Sequence, residues 1–242
     1  MTLHTRVMAA FAVCFVTYGC AGMPMMDTGD VYDPFEKENR ALFDASLALD
    51  RAVVRPAAVG YQRILPDGVR NAIRNFLNNL GSPVIFANDV LQGDVDRAGT
   101  TFVRIVVDSS VGLAGFFDPA TTWGFVRHSG DFGETLATYG VGEGPYQFVP
   151  LLGPSNARDL TGYGVDFLFD PFTWVPLREN FWWQAGRTTL DDLDLRARNI
   201  DTLDEIQKTS LDFYASVRSL YHQNRQSEIN HGQPPVQNLP NF

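Results

Sequence analysis

The chain has 242 residues, 19 Lys+Arg against 28 Asp+Glu, and a formal net charge of −9. That balance excludes a nucleic-acid binder and a polybasic membrane anchor, both of which need clustered cations. The two cysteines, Cys14 and Cys20, both precede the region of regular patterning, so stability must come from packing rather than disulfides.

In chain order, Arg6 precedes an apolar run from Val7 to Tyr18, which ends at Gly19-Cys20. The run is too short to span a bilayer and has the layout of a lipoprotein signal. Residues 1–19 are therefore expected to be cleaved, and Cys20 to be the acylated mature N-terminus. Residues 20–31, with Gly22, Pro24 and Gly29, read as a flexible tether. A helical domain is expected over 32–222. Asp33-Pro34 is an N-cap signature, and Phe35, Leu42, Leu49 and Val53 follow at helical spacing up to Pro56. A second helix begins at Pro66-Asp67, with Val69, Ile73, Phe76, Leu77 and Leu80 on one face. Gly81-Ser82-Pro83 is expected to stop it and to start a third helix through Val90-Leu91.

Residues 98–117 are apolar nearly all round, broken by Arg104 and Asp108. This reads as a buried core helix, or as a segment within one leaflet if the chain is lipid-anchored. Over 131–154, Gly140, Gly142, Gly144 and Pro145 separate short apolar runs and predict a hairpin-like loop. Ser155 is expected to cap the next helix. Trp174, Phe181, Trp182 and Trp183 cluster after Asp170-Pro171-Phe172. One long helix should then run from about Leu190 to His222, with Asp191, Asp192 and Asp194 at its favourable N-terminal end. The tail 223–242 has a disordered composition. The fold class is all-α, a single domain of amphipathic helices with one Gly/Pro-rich loop.

Chemistry-bearing motifs are sparse. Gly153-Pro154-Ser155-Asn156-Ala157 approximates a nucleophile elbow, which would make Ser155 an esterase serine, but no βαβ pattern frames it. Gly140-Val141-Gly142-Glu143-Gly144-Pro145 is not a phosphate loop, and the scattered histidines give no metal spacing. No cofactor is expected. Asp131 and Glu134 near Arg127 read as a surface ion pair.

Together, several stretches resemble the VacJ/MlaA family of outer-membrane lipoproteins. They are Asp33-Pro34-Phe35-Glu36 with Asn39-Arg40, Arg55-Pro56 to Gly60-Tyr61, Val69-Arg70-Asn71, Asn75-Phe76 and Asn79-Leu80, and Asn88-Asp89-Val90-Leu91-Gln92-Gly93. Further along stand Gly112 to Asp118, Asp131-Phe132-Gly133-Glu134-Thr135-Leu136, Tyr139 to Tyr146, Pro150 to Ser155, and Arg158-Asp159. The resemblance covers roughly residues 31–220. It implies a ring-like helical protein in the inner leaflet of the outer membrane, facing the periplasm. It further implies a polar channel that removes misplaced phospholipid from the outer leaflet and preserves lipid asymmetry. The expected partners are phospholipid, a trimeric porin and a soluble periplasmic carrier of the MlaC type. Asp131, Phe132, Gly133, Tyr139, Gly140, Gly142, Gly144, Pro145 and Tyr146 are the candidate channel or gating residues. A lipid-anchored esterase using Ser155 and a structural porin-associated lipoprotein are the alternatives.

Overall fold

The computed structural model describes residues 31–174 and 180–231. The expected signal peptide, Cys20, most of the tether and the end of the chain lie outside them. Helices dominate the described residues, and those from Asp33 onward belong to one compact unit. α1 (Glu36–Leu49) passes through a π-turn (Asp50–Val54) into α2 (Arg55–Ile64), so the chain stays helical through Pro56. Pro56 directly follows the π-turn, where the pairing is already shifted by one residue and the Arg55 amide donates to the Asp50 carbonyl. Asp33 does not cap α1 as expected. Its carboxylate instead accepts from Asn39, Tyr214 and Arg218, which ties the start of the domain to its last helix.

The expected break at Gly81-Ser82-Pro83 does not occur. α3 is a single helix, Asp67–Gln92, with Pro83 inside it. Proline removes one backbone bond and crowds the preceding turn. Close by, the Ser82 hydroxyl and Arg127 Nη1 both donate to the Asn78 carbonyl, at 3.0 and 2.8 Å. This also corrects the expected pairing of Arg127 with Asp131 and Glu134. α3 packs against α4 (Val95–Ser110), whose N-terminus is capped by Asp94.

α4 overturns the core-helix expectation. The residues it buries are Ala98, Thr101, Arg104 and Asp108, whereas Phe102 and Val106 are half exposed. The inward face is polar because it is paired. Arg104 Nη1 donates to Thr121 Oγ1 (2.8 Å) and the Phe125 carbonyl (2.7 Å), and Arg104 forms ion pairs with Asp108 and Asp118. After α4 the backbone turns through Leu113, Ala114 and Gly115, all at positive φ (52°, 60° and 95°). Only glycine takes this region without strain. The turn is braced by the Asn79 amide, bonded to Ser109 Oγ, and by Phe76 stacked on Phe116 at 4.8 Å. Leu113, Phe117 and Trp123 are consequently held outward, each more than half exposed.

A short α5 (Pro119–Thr122) leads to α6 (Phe132–Thr138) and an antiparallel hairpin. β1 (Tyr146–Val149) pairs with β2 (Gly153–Asn156), Tyr146 opposite Asn156. The hairpin turn is therefore Pro150-Leu151-Leu152, with Leu151 at φ 70° and Gly153 at φ 91°, and not the earlier glycine cluster. Ser155 lies in β2; the cap of α7 (Ala157–Phe169) is Asn156, whose Oδ1 accepts from the Asp159 amide.

The expected final helix is three: α8 (Asn180–Arg198), α9 (Ile200–Thr209) and α10 (Phe213–Ile229). Ser210 adopts extended backbone, and Asp212 caps α10 while its carboxylate also holds Arg40 in a two-pronged pair. Asp194 stands deep inside α8 rather than at its start. It is buried and accepts from Arg74, Tyr61 and Arg198. α10 continues to Ile229, past the expected end at His222, so the first residues of the supposed tail are structured.

Among the described residues, 12 hydrophobic and 14 polar or charged residues are buried, while large apolar side chains are exposed on nearly every helix. Soluble cores have the opposite bias. The apolar core that does exist is divided. One cluster joins Ala58, Tyr61, Ala197 and Ile200; elsewhere Phe43 meets Phe148, Phe213 and Tyr214 edge-on. None of the described helices is long and apolar enough to cross a membrane.

Candidate functional site: a buried polar cluster around Arg225

A chain of buried polar contacts joins α3, α6, α7 and α10. Its centre is Arg225 on α10. The guanidinium makes a two-pronged pair with Asp131, Nη2 to Oδ1 at 2.6 Å and Nη1 to Oδ2 at 2.7 Å. It also donates from Nε to Asp159 Oδ2 (2.9 Å) and from Nη2 to Asp159 Oδ1 (3.1 Å). Nη1 further approaches Glu228 at 3.1 Å and Glu134 at 3.4 Å. Asp159 takes an additional bond from Arg158 Nε and another from the Tyr221 hydroxyl (2.6 Å).

The sequence places these groups through simple devices. Asp131 caps α6 by accepting from the Glu134 amide, which fixes its other face toward Arg225. Gly133 must lack a side chain, because a Cβ there would lie 2.5 Å from Asp159 Oδ1 and 2.6 Å from Arg225 Nη2. Gly162 faces it from α7, where a Cβ would come within 2.3 Å of the Gly133 nitrogen. Two glycines thus let two helices touch at backbone distance, and the ion cluster fills the adjoining space.

Around this centre the acids are differentiated. Burial, reinforced by the charge of Asp131, raises the Glu134 carboxyl to about 7 despite Arg225. Burial likewise lifts Asp166 to about 6, against the Phe132 amide and the Asn88 amide that bond it. Asp159 is pulled the other way: burial opposes its charge, but Arg225, Tyr221 and Arg158 outweigh it and hold it below the usual carboxylate range. Asn88 is fully buried. It donates to Asp166 at 2.7 Å and accepts from the Thr135 hydroxyl at 2.9 Å. Its neighbour Asp89, also fully buried, accepts from Thr101 (2.6 Å) and contacts His128 Nε2 (3.0 Å). A cavity of about 280 Å³ opens beside the cluster; Asp131, Ser155, Asp159, Tyr163, Arg225 and Glu228 contribute to its wall.

The candidate loop residues divide into three groups. Asp131, Phe132 and Gly133 belong to the cluster. Tyr139, Gly140, Gly142 and Gly144 form the outer connection. Tyr139 is largely exposed there, with its hydroxyl on the Leu91 carbonyl, and a side chain at Gly140 or Gly142 would meet open space. Pro145 joins that connection to the hairpin, its carbonyl accepting from the Ala157 amide, and Tyr146 is buried against Tyr214 and Tyr221. Arg225, Asp166 and Glu228 were not among the sequence candidates. A signal existed: Tyr214, Tyr221 and Arg225 fall at i, i+7 and i+11, one face of a helix that continues beyond His222.

This arrangement is a positioned, charged interior with a cavity beside it. Ser155 lies against Tyr221, and His222 Nδ1 is engaged by Glu143 at 3.1 Å. A model of the MlaA lipoprotein family matches residues 31–228. The chain belongs to the MlaA lipoprotein family. It is 33% identical over 227 residues to the intermembrane phospholipid transport system lipoprotein MlaA of Shigella flexneri, covering 92% of this chain and 88% of that protein. The MlaA of Escherichia coli (strain K12) is 32% identical with the same coverage. An uncharacterized protein of Rickettsia bellii (strain RML369-C) is 34% identical over 204 residues, 83% of this chain and 78% of its own length. A solved structure described as the structural basis for maintenance of bacterial outer membrane lipid asymmetry superposes with a TM-score of 0.74 at 33% identity. It covers 82% of this chain and 99% of that one. The MlaA family model spans α1 through nearly all of α10, so Arg225 and Glu228 lie within the matched region.

Proposed function

We propose that this protein removes mislocalised phospholipid from the outer leaflet of the outer membrane and passes it to a periplasmic carrier, preserving lipid asymmetry. The observation that carries this reading is the inverted distribution of polarity: charged and amide side chains inside, Phe102, Val106, Leu113 and Phe117 outside. A charged headgroup crossing hydrocarbon meets a barrier of several kcal/mol unless polar groups replace its water. The cavity beside Arg225 supplies such groups, and the outward apolar residues suit contact with acyl chains. Relatives named as phospholipid transport lipoproteins support the same role. On this reading the protein is a ring of helices seated in the inner leaflet, anchored through Cys20, with a porin and an MlaC-like carrier as partners. The 131–154 loop, with Asp131, Phe132, Gly133, Tyr139, Gly140, Gly142, Gly144, Pro145 and Tyr146, gates or lines its lipid path. Mass spectrometry of the native protein should find diacylglyceryl-modified Cys20; an unmodified chain starting elsewhere would remove the anchor from the proposal.

The lipid is moved, not cleaved. Purified protein incubated with phospholipid labelled in the acyl chain and headgroup should release neither label, and Ser155→Ala should transfer lipid as the wild type does. Stoichiometric fatty-acid release that is lost in Ser155→Ala would establish the esterase instead.

A further inference from the structure

Arg225 Nη1 carries two hydrogens, and three carboxylates compete for them: Asp131 at 2.7 Å, Glu228 at 3.1 Å and Glu134 at 3.4 Å. Glu134 is the one left short. It is 1% exposed; besides Arg225 only the Ser129 hydroxyl supports its charge, and its second oxygen, Oε2, makes no well-formed hydrogen bond. Glu228, by contrast, is partly exposed and contributes to the cavity wall. We propose that Glu134 is a proton-operated exchange element: when neutral it leaves Arg225 to Asp131, Asp159 and Glu228, and when ionised it takes the hydrogen held by Glu228 and frees that carboxylate into the cavity. The proposal rests on the transport reading above for its consequence, but its ion-pair exchange stands on geometry alone.

The surroundings fit such an element. On its own side Glu134 faces Asp131, and from α10 it faces Arg225 and Glu228. α7 brings Asp159, itself paired with Arg158, and also Asp166. α3 contributes neutral Asn88 and Gln92, both bonded to Thr135, and Asp89, which is satisfied by Thr101 and His128. The cluster therefore holds more acid than base, and an excess carboxyl in a buried site keeps its proton until bulk pH approaches neutrality. Its midpoint near 7 is consistent with this. Asp131 is locked by two prongs and Asp159 by two cations, so Glu228 is the pair that yields. A freed Glu228 adds one negative charge to the wall past which a phosphate must travel.

The full-length acylated protein in phosphatidylethanolamine–phosphatidylglycerol vesicles, with a fluorescent phosphatidylethanolamine as probe, tests both levels. Lipid movement should fall about tenfold between pH 6 and pH 8, the factor for one extra like charge in a wet cavity. Glu134→Gln and Glu228→Gln should each abolish that pH step. Infrared spectra should show a protonated carboxylic-acid band that is lost as pH rises through about 7. The component lost near pH 7 should be missing in Glu134→Gln, leaving only the Asp166 component that is lost near pH 6, and in Glu228→Gln it should be lost at lower pH, because a like charge has gone. A pH step retained in Glu134→Gln, or no Glu134 acid band at pH 6, overturns the exchange. Normal band behaviour with no lipid movement at any pH overturns the transport reading and leaves the exchange standing.

Discussion

Arg225→Ala is expected to lower stability by about 3–5 kcal/mol, the range for removing one partner of a buried ion pair. The side chain is nearly fully buried and serves Asp131, Asp159, Glu134 and Glu228 at once. Its loss leaves several buried acids without their cation. Those acids cap α6 and face the start of α7, so the damage spreads to the contact between these helices. Arg225→Lys retains the charge but not the planar fork that meets two carboxylates, and should recover only part of the loss. Arg55→Ala is the appropriate contrast, because its pair with Asp204 lies near the surface, with the Arg55 side chain 42% exposed, and its loss should cost much less. Urea denaturation of the three variants in detergent decides the matter. A loss for Arg225→Ala no larger than for Arg55→Ala would show that the cluster does not hold the helices together.

Gly162→Ala should have a comparable effect through a different cause. The added methyl group would sit 2.3 Å from the Gly133 nitrogen and 2.8 Å from its Cα, and backbone cannot yield as a flexible side chain can. α6 must move away, which also lengthens the Phe132 amide bonds to Asp166 and the Asp131 pair with Arg225. Overpacking of this kind costs about 3 kcal/mol, and the displaced ion pairs add to it. Gly164→Ala on the same helix supplies the control. A Cβ there meets open space, so the change should be neutral or stabilise by about 0.5–1 kcal/mol through helix propensity. Thermal unfolding of the two variants should therefore move in opposite directions, or at least differ by several degrees; equal midpoints would refute the close helix contact.

The local elements were legible in the sequence where the signal is periodic. The apolar face of α3 from Val69 to Leu80 was legible from spacing alone, whereas the glycines after α6 suggested the hairpin turn that lies at Pro150-Leu151-Leu152. The colinear motifs carried the family. What spacing could not give is the pairing of charges distant in the chain. Asp33 with Arg218, Arg74 with Asp194 and Arg225 with Asp131 leave no periodic mark, since each residue alone looks like a solvated charge on a helix. The same limitation explains α4. Arg104 and Asp108 read as interruptions of an apolar helix, yet they define its inward face, and the hydrophobic residues are the exposed ones. Pro83 and Ser82 misled for another reason: a proline costs a helix one backbone bond, and a long helix packed against its neighbours can continue through that loss. Glycines 133 and 162 stood within view, but their purpose becomes clear only when α6 and α7 are seen to touch.

The inverted interior matters to the proposed role because it reconciles two demands. The outside must be compatible with acyl chains, and the inside must accept a phosphate and its water. Ion pairs satisfy the polar groups when lipid is absent, so the interior need not collapse or fill with apolar side chains. A measurement on cells tests this account most directly. Phospholipid exposed on the outer leaflet should be quantified by chemical labelling in cells lacking the gene and in the same cells complemented with the full-length chain. The account predicts accumulation on deletion and return to the normal level on complementation. An outer leaflet with unchanged phospholipid content after deletion would contradict it.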